Sequence, residues 1–288
     1  MLTDTHGHLT SEYCSPDEVG AVIARAKSAG VSKIILPGAS RGDAAEQIAL
    51  CEKFDELYCT IGWHPDALNY NIPPAPIPGA APLKGGIKND LNSPFEGGGA
   101  RGCVPRGCFD YEQYLSHPRV VGIGEIGLDY HYENRPSNTD QIDLFERQLE
   151  IAKTHALPVA IHTRDADDDT FDVLKNYEGA GVLHCYTSTW DLARKMLDRG
   201  FFVSASGIIT FKNAEDLREI FSKVPLDRLI VETDSPYCAP VPNRGKKCEP
   251  AFVADTARFL ANLRGVDFEE FAQILKTNTE TLYPKIKN

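Results

Sequence analysis

No stretch of the 288-residue chain approaches the run of about eighteen apolar residues that a membrane span needs, so a membrane is not expected among its partners. The first residues also lack the basic patch and apolar run of a secretory leader. Cysteine occurs at 14, 51, 59, 103, 108, 185, 238 and 248, yet no C-x-x-C pair and no disulfide-like framework is formed. A reducing cytoplasm is the expected location. Net positive charge is missing too: the formal charge of -11 argues against coating nucleic acid with the whole surface, because phosphate binding draws on clustered Lys and Arg. A local basic rim on an acidic body fits the count. No glycine-rich phosphate turn follows the first strand, which disfavours an open dinucleotide-binding sheet.

What is there is alternation. Short β-rich runs occur at Leu2 to His6, 31–38, 57–65, 119–130, 157–166, 181–188, 200–207 and 228–236. Between them lie helical spacings: Val19, Val22, Ile23 and Ala26; Phe145, Leu149 and Ala152; Ala193, Met196 and Leu197; Leu217, Ile220 and Phe221. Gly30 and Gly200 stand where C-terminal caps belong. Eight such units in about 240 residues predict an α/β fold, a TIM-like (β/α)8 barrel occupying residues 1–288 as a single domain. A final helix over 267–283 is expected to pack outside the barrel. The segment from Asn69 to Cys108 breaks the rhythm: it is rich in Pro and Gly and reads as a long insertion loop after the third strand.

Chemistry in such barrels gathers at the C-terminal strand ends. There the sequence places His6 and His8 after strand 1, His64 after strand 3 and Glu125 on strand 4. His162 lies on strand 5, His184 on strand 6 and Asp234 on strand 8. Residues two apart on a strand share a face, so His6 and His8 project together. A lone His-x-His also suits two polar residues at a strand end; the company it keeps decides. Imidazole with carboxylate suits Zn, Mn, Fe or Co, and four His with two acids exceed one tetrahedral ion, so two ions are implied. Glu125, the sole ionisable group in the apolar run VVGIGEIGL, is the candidate bridge, since an unpaired buried carboxylate is costly. Glu232 has the parity of Asp234, and one of the two is expected on metal. Cys185 is expected to face the helix layer, His117 to lie at the opposite barrel end, and His131, in a loop near the mouth, to be a substrate contact. Trp63 and Tyr130 could stack a base. Gly122, Gly124 and Gly127 lie within a strand, where small residues let neighbouring groups approach.

With these residues assembled, the chain resembles the TatD family of metal-dependent deoxyribonucleases. The stretches that carry it are DTHGHL, GWHP, VGIGEIGLDY, LPVAIHTRDA, VLHCYT, GFFVSASGIITFKNA, LIVETDSPYCAPVPNRGKKCEP and NTETLY, nearly the whole chain outside the insertion. The resemblance implies two divalent ions (Zn, Mg or Mn), with His6 and His8 on one, His162 and His184 on the other, Glu125 bridging, and Asp234 both ligating and handling protons. It implies DNA as substrate, with RNA or tRNA as variants. Arg164, Arg244, Lys246 and Lys247 would steer phosphates, with His64 also at the substrate. Many related barrels bridge their metals with a carboxylated Lys; strand 4 has none, and Glu125 takes that place. An esterase, lactonase or aminoacyl-tRNA deacylase on the same barrel is the alternative, and a non-catalytic relict is disfavoured by the intact ligand set. Cys248 stands where the family usually has Asn, and Cys238 replaces a common Leu.

Overall fold

The structure, a computed structural model, describes residues 1–40, 42–69, 109 and 111–287. Eight strands pair in chain order, each parallel to the next. They are β1 (Leu2–Asp4), β2 (Val31–Leu36), β3 (Leu57–Ile61), β4 (Val120–Asp129), β5 (Val159–Arg164), β6 (Gly181–Leu183), β7 (Phe202–Ala205) and β8 (Leu229–Val231). The segments that follow β1 and β8 then join the two edges. Asp234 N–H donates to the His6 carbonyl and His8 N–H to that of Ser235, both at 2.8 Å. Below them the buried Asp4 carboxylate accepts from the Thr233 backbone N–H at 2.8 Å and from its hydroxyl at 2.6 Å. The fold is the expected TIM-like barrel.

Most strands are shorter than their β-rich runs. The run 181–188 yields only β6, and 228–236 only β8, so His184 and Asp234 sit past the strand ends. The remaining polar residues of each run are loop. Helices fill the connections: α1 (Val19–Ser28), α2 (Asp43–Lys53), α3 (Asn138–Thr154), α4 (Asp167–Leu174), α5 (Trp190–Leu197), α6 (Glu215–Lys223), α7 (Val253–Arg264) and α8 (Phe268–Leu282). The apolar residues that announced α1, α3 and α6 are all buried. Gly30 and Gly200 take φ of +86° and +84°, a backbone that favours glycine. The helical spacings named from the sequence leave out α2, α4 and α7, although α7 buries Val253, Ala257, Leu260 and Ala261 at helical spacing. In α4 the first turn is three aspartates, which suit the positive end of a helix but hide its period.

Two apolar layers result. The larger joins outward strand residues such as Ile34, Leu36 and Leu57 to the helices. The smaller takes one residue from each strand β2 to β8: Ile35, Tyr58, Val121, Ala160, Val182, Phe202 and Ile230. To these it adds Leu282, Tyr283 and Ile286 from the chain's end. Lys285 Nζ donates to the carbonyl of Val120, the first residue of β4. The helix α8 packs outside, as expected, but the tail beyond it plugs the N-terminal floor of the barrel. The free mouth is therefore the C-terminal one. The insertion read at 69–108, with Cys103 and Cys108, lies outside the described residues apart from Asn69. Among the described residues no helix is long and apolar enough to cross a membrane.

Candidate metal centre

Glu125 stands at the middle of the mouth. Its backbone N–H donates to the Gly38 carbonyl at 2.6 Å, and the register of β4 on β5 shifts between Ile123 and Ile126. The strand glycines do allow close approach: a Cβ on Gly124 would fall 2.7 Å from Ala160 Cβ. At Gly127, with φ of +143°, it would fall 2.0 Å from the His162 carbonyl oxygen. β4 therefore presses against β5 where His162 emerges.

The two carboxylate oxygens of Glu125 face different partners. His162 Nδ1 and His184 Nε2 each lie 2.7 Å from Oε1 and 3.2 Å from one another. On the other side His6 Nε2 is 3.4 Å from Oε2. Asp234 Oδ1 lies 3.9 Å from His6 Nε2 and 3.7 Å from His8 Nε2. Ligand atoms about 2.0 to 2.1 Å from a tetrahedral ion are themselves about 3.4 Å apart, so the 3.2 to 3.9 Å spacings are close to those of donor sets, while the two 2.7 Å contacts to Oε1 are hydrogen bonds. His6 Nε2 is buried with no hydrogen-bond partner, an orphan that a cation would satisfy. The structure thus gathers His6, His8, Glu125, His162, His184 and Asp234 around one point, and His6, His8 and Glu125, like Glu125, His162 and His184, lie close enough together to hold a metal ion.

Charge is concentrated here. Burial pushes the Glu125 carboxyl up, but the facing His184 and His64 and hydrogen bonds from His162 and His184 outweigh it and hold it well below the usual carboxylate range. Burial also disfavours charge on His184, yet Glu125 and Glu232 carry it well above the ordinary imidazole value. The imidazole of His162 is likewise raised against its burial, by Asp129 and Glu125. In contrast His64 is pushed down to about 3, by burial and then by His162. The pattern is a buried acid that demands positive charge on two sides.

His64 belongs to this cluster rather than to an outer substrate shell. Its Nδ1 accepts the Asp66 N–H at 3.2 Å, which leaves the protonated Nε2 3.7 Å from Glu125 Oε1. Two acids that sequence reading passed over or left undecided serve as orienting groups. Asp129 Oδ2 lies 3.1 Å from His162 Nε2, and Glu232 Oε1 lies 3.3 Å from His184 Nδ1. Asp129 shares the strand parity of Glu125, a signal that could have found it. The basic residues stay at the rim. Arg164 donates to the Tyr132 hydroxyl at 3.1 Å, Arg244 lies 3.7 Å over the Phe211 ring, and Lys246 donates to Asn243 at 2.9 Å. Lys247 donates to the Tyr13 carbonyl at 2.8 Å, beside a pocket of about 350 Å³ that His8, Tyr13 and Ser235 help line.

Four smaller expectations resolve. His117 sits 3.6 Å from Glu52, just before β4 and so at the far end. His131 is engaged with Asp165 at 2.8 Å. Trp63 is buried against Phe109 and Tyr111, a core residue, while the Tyr130 hydroxyl donates to Asp169 at 2.8 Å. Cys185 corrects the parity argument: β6 has ended, its φ is +38°, and its thiol turns to the mouth beside Asp234 and Cys238 instead of into the helix layer.

Comparison with known proteins agrees with this geometry. YabD of Bacillus subtilis (strain 168), described as an uncharacterized metal-dependent hydrolase, is 35% identical over 288 residues, covering 98% of this chain and 99% of its own length. YcfH of Escherichia coli (strain K12), described in the same words, is 46% identical over 177 residues, 60% of this chain and 66% of its own. The crystal structure of YjjV, a TatD homologue from Escherichia coli K12, matches with a TM-score of 0.79 at 28% identity over 98% of both chains. The family model of the TatD related DNases matches residues 3–284. With a barrel mouth built of metal donors and that match from end to end, the chain belongs to the TatD family and is a metal-dependent hydrolase.

Proposed function

We propose that this hydrolase is a two-metal deoxyribonuclease that cleaves phosphodiester bonds. The observation that carries the reading is Glu125, whose two oxygens address separate nitrogen sets. His6, His8 and Asp234 would hold one cation with Oε2, and His162 and His184 the other with Oε1. Two divalent ions bound there supply Lewis-acid charge for phosphoryl oxygens and bring the pKa of water towards about 7.

The chain's own residues do the rest. Asp234 keeps 17% of its side-chain surface exposed, so it faces both the donor cluster and the solvent from which substrate enters. It accepts the proton of the attacking water and returns one to the leaving oxygen, a role worth roughly 10² to 10⁴ in rate. Asp129 and Glu232 fix the rings of His162 and His184 so that one nitrogen of each points at Glu125. Arg164, the last residue of β5, and Lys247, in the segment after β8, hold backbone phosphates beside the scissile one.

The test is incubation of the purified chain with single-stranded DNA in Mg²⁺, Mn²⁺ or Zn²⁺, with and without EDTA. Cleavage that needs metal, stops with EDTA and falls roughly 10²- to 10⁴-fold in Asp234→Asn is expected. No cleavage with any of the metals, while an ester, a lactone or an aminoacyl-tRNA is turned over, overturns the reading.

A further inference from the structure

We propose that Cys185, Cys238 and Asp234 form a separate site for one soft or borderline cation, of the Zn²⁺ or Cd²⁺ type, which shares Asp234 with the histidine centre. The two sulfurs and a carboxylate oxygen lie within 4.8 Å of one another. Cys238 Sγ is 3.7 Å from Asp234 Oδ2, whereas Oδ1 faces His6 and His8. A tetrahedral ion bound to a thiolate at about 2.3 Å and a carboxylate at about 2.0 Å sets these atoms about 3.5 Å apart. The observed spacing needs little adjustment.

The three residues arrive from two different loops, after β6 and after β8, and all three adopt positive φ: +38° at Cys185, +55° at Asp234 and +56° at Cys238. Such backbone is costly for non-glycine residues and persists where the surroundings hold it. Here it turns all three side chains to one point of the rim. Cys185 Sγ is held by Ser206 Oγ at 3.2 Å. None of the three is fully buried, so an ion can reach them from solvent.

Ligand softness separates the two sites. Thiolates favour Zn²⁺, Cd²⁺ and Cu⁺, while imidazole with carboxylate also takes the harder Mn²⁺. Binding at the thiol site releases both thiol protons to solvent and breaks no covalent bond between heavy atoms. A cation there holds Oδ2 of the residue that moves protons in the proposed hydrolysis, so occupancy is inhibitory. That consequence rests on the proposed function; the binding does not.

The test uses the full chain, stripped of metal, saturated with Mn²⁺ and titrated with Cd²⁺. Ultraviolet absorption reads thiolate-to-cadmium charge transfer, and equilibrium dialysis reads bound cadmium. The expected result is a charge-transfer band that saturates with bound cadmium. The band is lost in Cys185→Ser and in Cys238→Ser but kept in Cys103→Ser/Cys108→Ser and in Cys14→Ser/Cys248→Ser. No band in the unaltered chain, or an equal band in Cys185→Ser/Cys238→Ser, overturns the proposal. Thermal unfolding without metal shows which variants fold, and Cys238→Ser alone decides if Cys185→Ser does not. DNA cleavage plays no part in the readout, so failure of the nuclease reading and failure of this one are told apart.

Discussion

Glu125 is a buried acid in an apolar strand, and such a group survives only among compensating charges. The compensation reaches further than its direct neighbours, because Glu232 and Asp129 decide which nitrogen of His184 and His162 turns inward. In the proposed centre Glu232→Gln therefore lowers metal affinity about 10- to 100-fold with the fold intact, measured by metal titration beside a circular dichroism spectrum. An unchanged affinity would show that Glu232 is only a core acid. At this scale the sequence was informative about donors and poor about their support. His6, His8, Glu125, His162, His184 and Asp234 stood out as chemistry-bearing types at strand ends. Asp129 did not, because in GEIGLDY it reads as the polar close of a strand. Parity also misplaced Cys185, since it holds only as far as the strand does.

Among the elements, β4 and the tail after α8 matter most to the site, at opposite ends of the barrel. β4 runs ten residues from the floor to the mouth and carries Glu125 and Asp129 on its way. The tail fills the floor with Tyr283 and Ile286, both nearly inaccessible to solvent. Ile286→Ala removes a plug side chain and is expected to cost about 2 to 5 kcal/mol, read by denaturant unfolding, while the folded variant binds metal as before. Loss of metal binding in the folded protein would mean that floor and mouth are coupled. The alternation of β-rich and helical segments disclosed the barrel, but not this plug. Leu282 and Tyr283 read as the last turn of the final helix, and Ile286 lies past it in a short stretch with no period of its own. Strand ends were overrun for a similar reason: His184 and Asp234 follow their strands in sequence without belonging to the ladder.

For the molecule as a whole, an acidic body with four candidate phosphate contacts near the mouth should hold nucleic acid through few phosphates. If Arg164, Arg244, Lys246 and Lys247 are the contacts, four phosphates are neutralised. The logarithm of single-strand affinity should then fall with the logarithm of salt with a slope no steeper than about -3. Fluorescence anisotropy with Asp234→Asn measures it, and a slope near -6 would require a basic surface elsewhere. The whole-molecule argument returns to one carboxylate set between two groups of imidazoles. Crystals grown with Mn²⁺ and measured for anomalous scattering test that arrangement directly. Two peaks about 3.5 to 4 Å apart, one against each oxygen of Glu125, are predicted. A single peak, or a pair that makes no contact with Glu125, would contradict it.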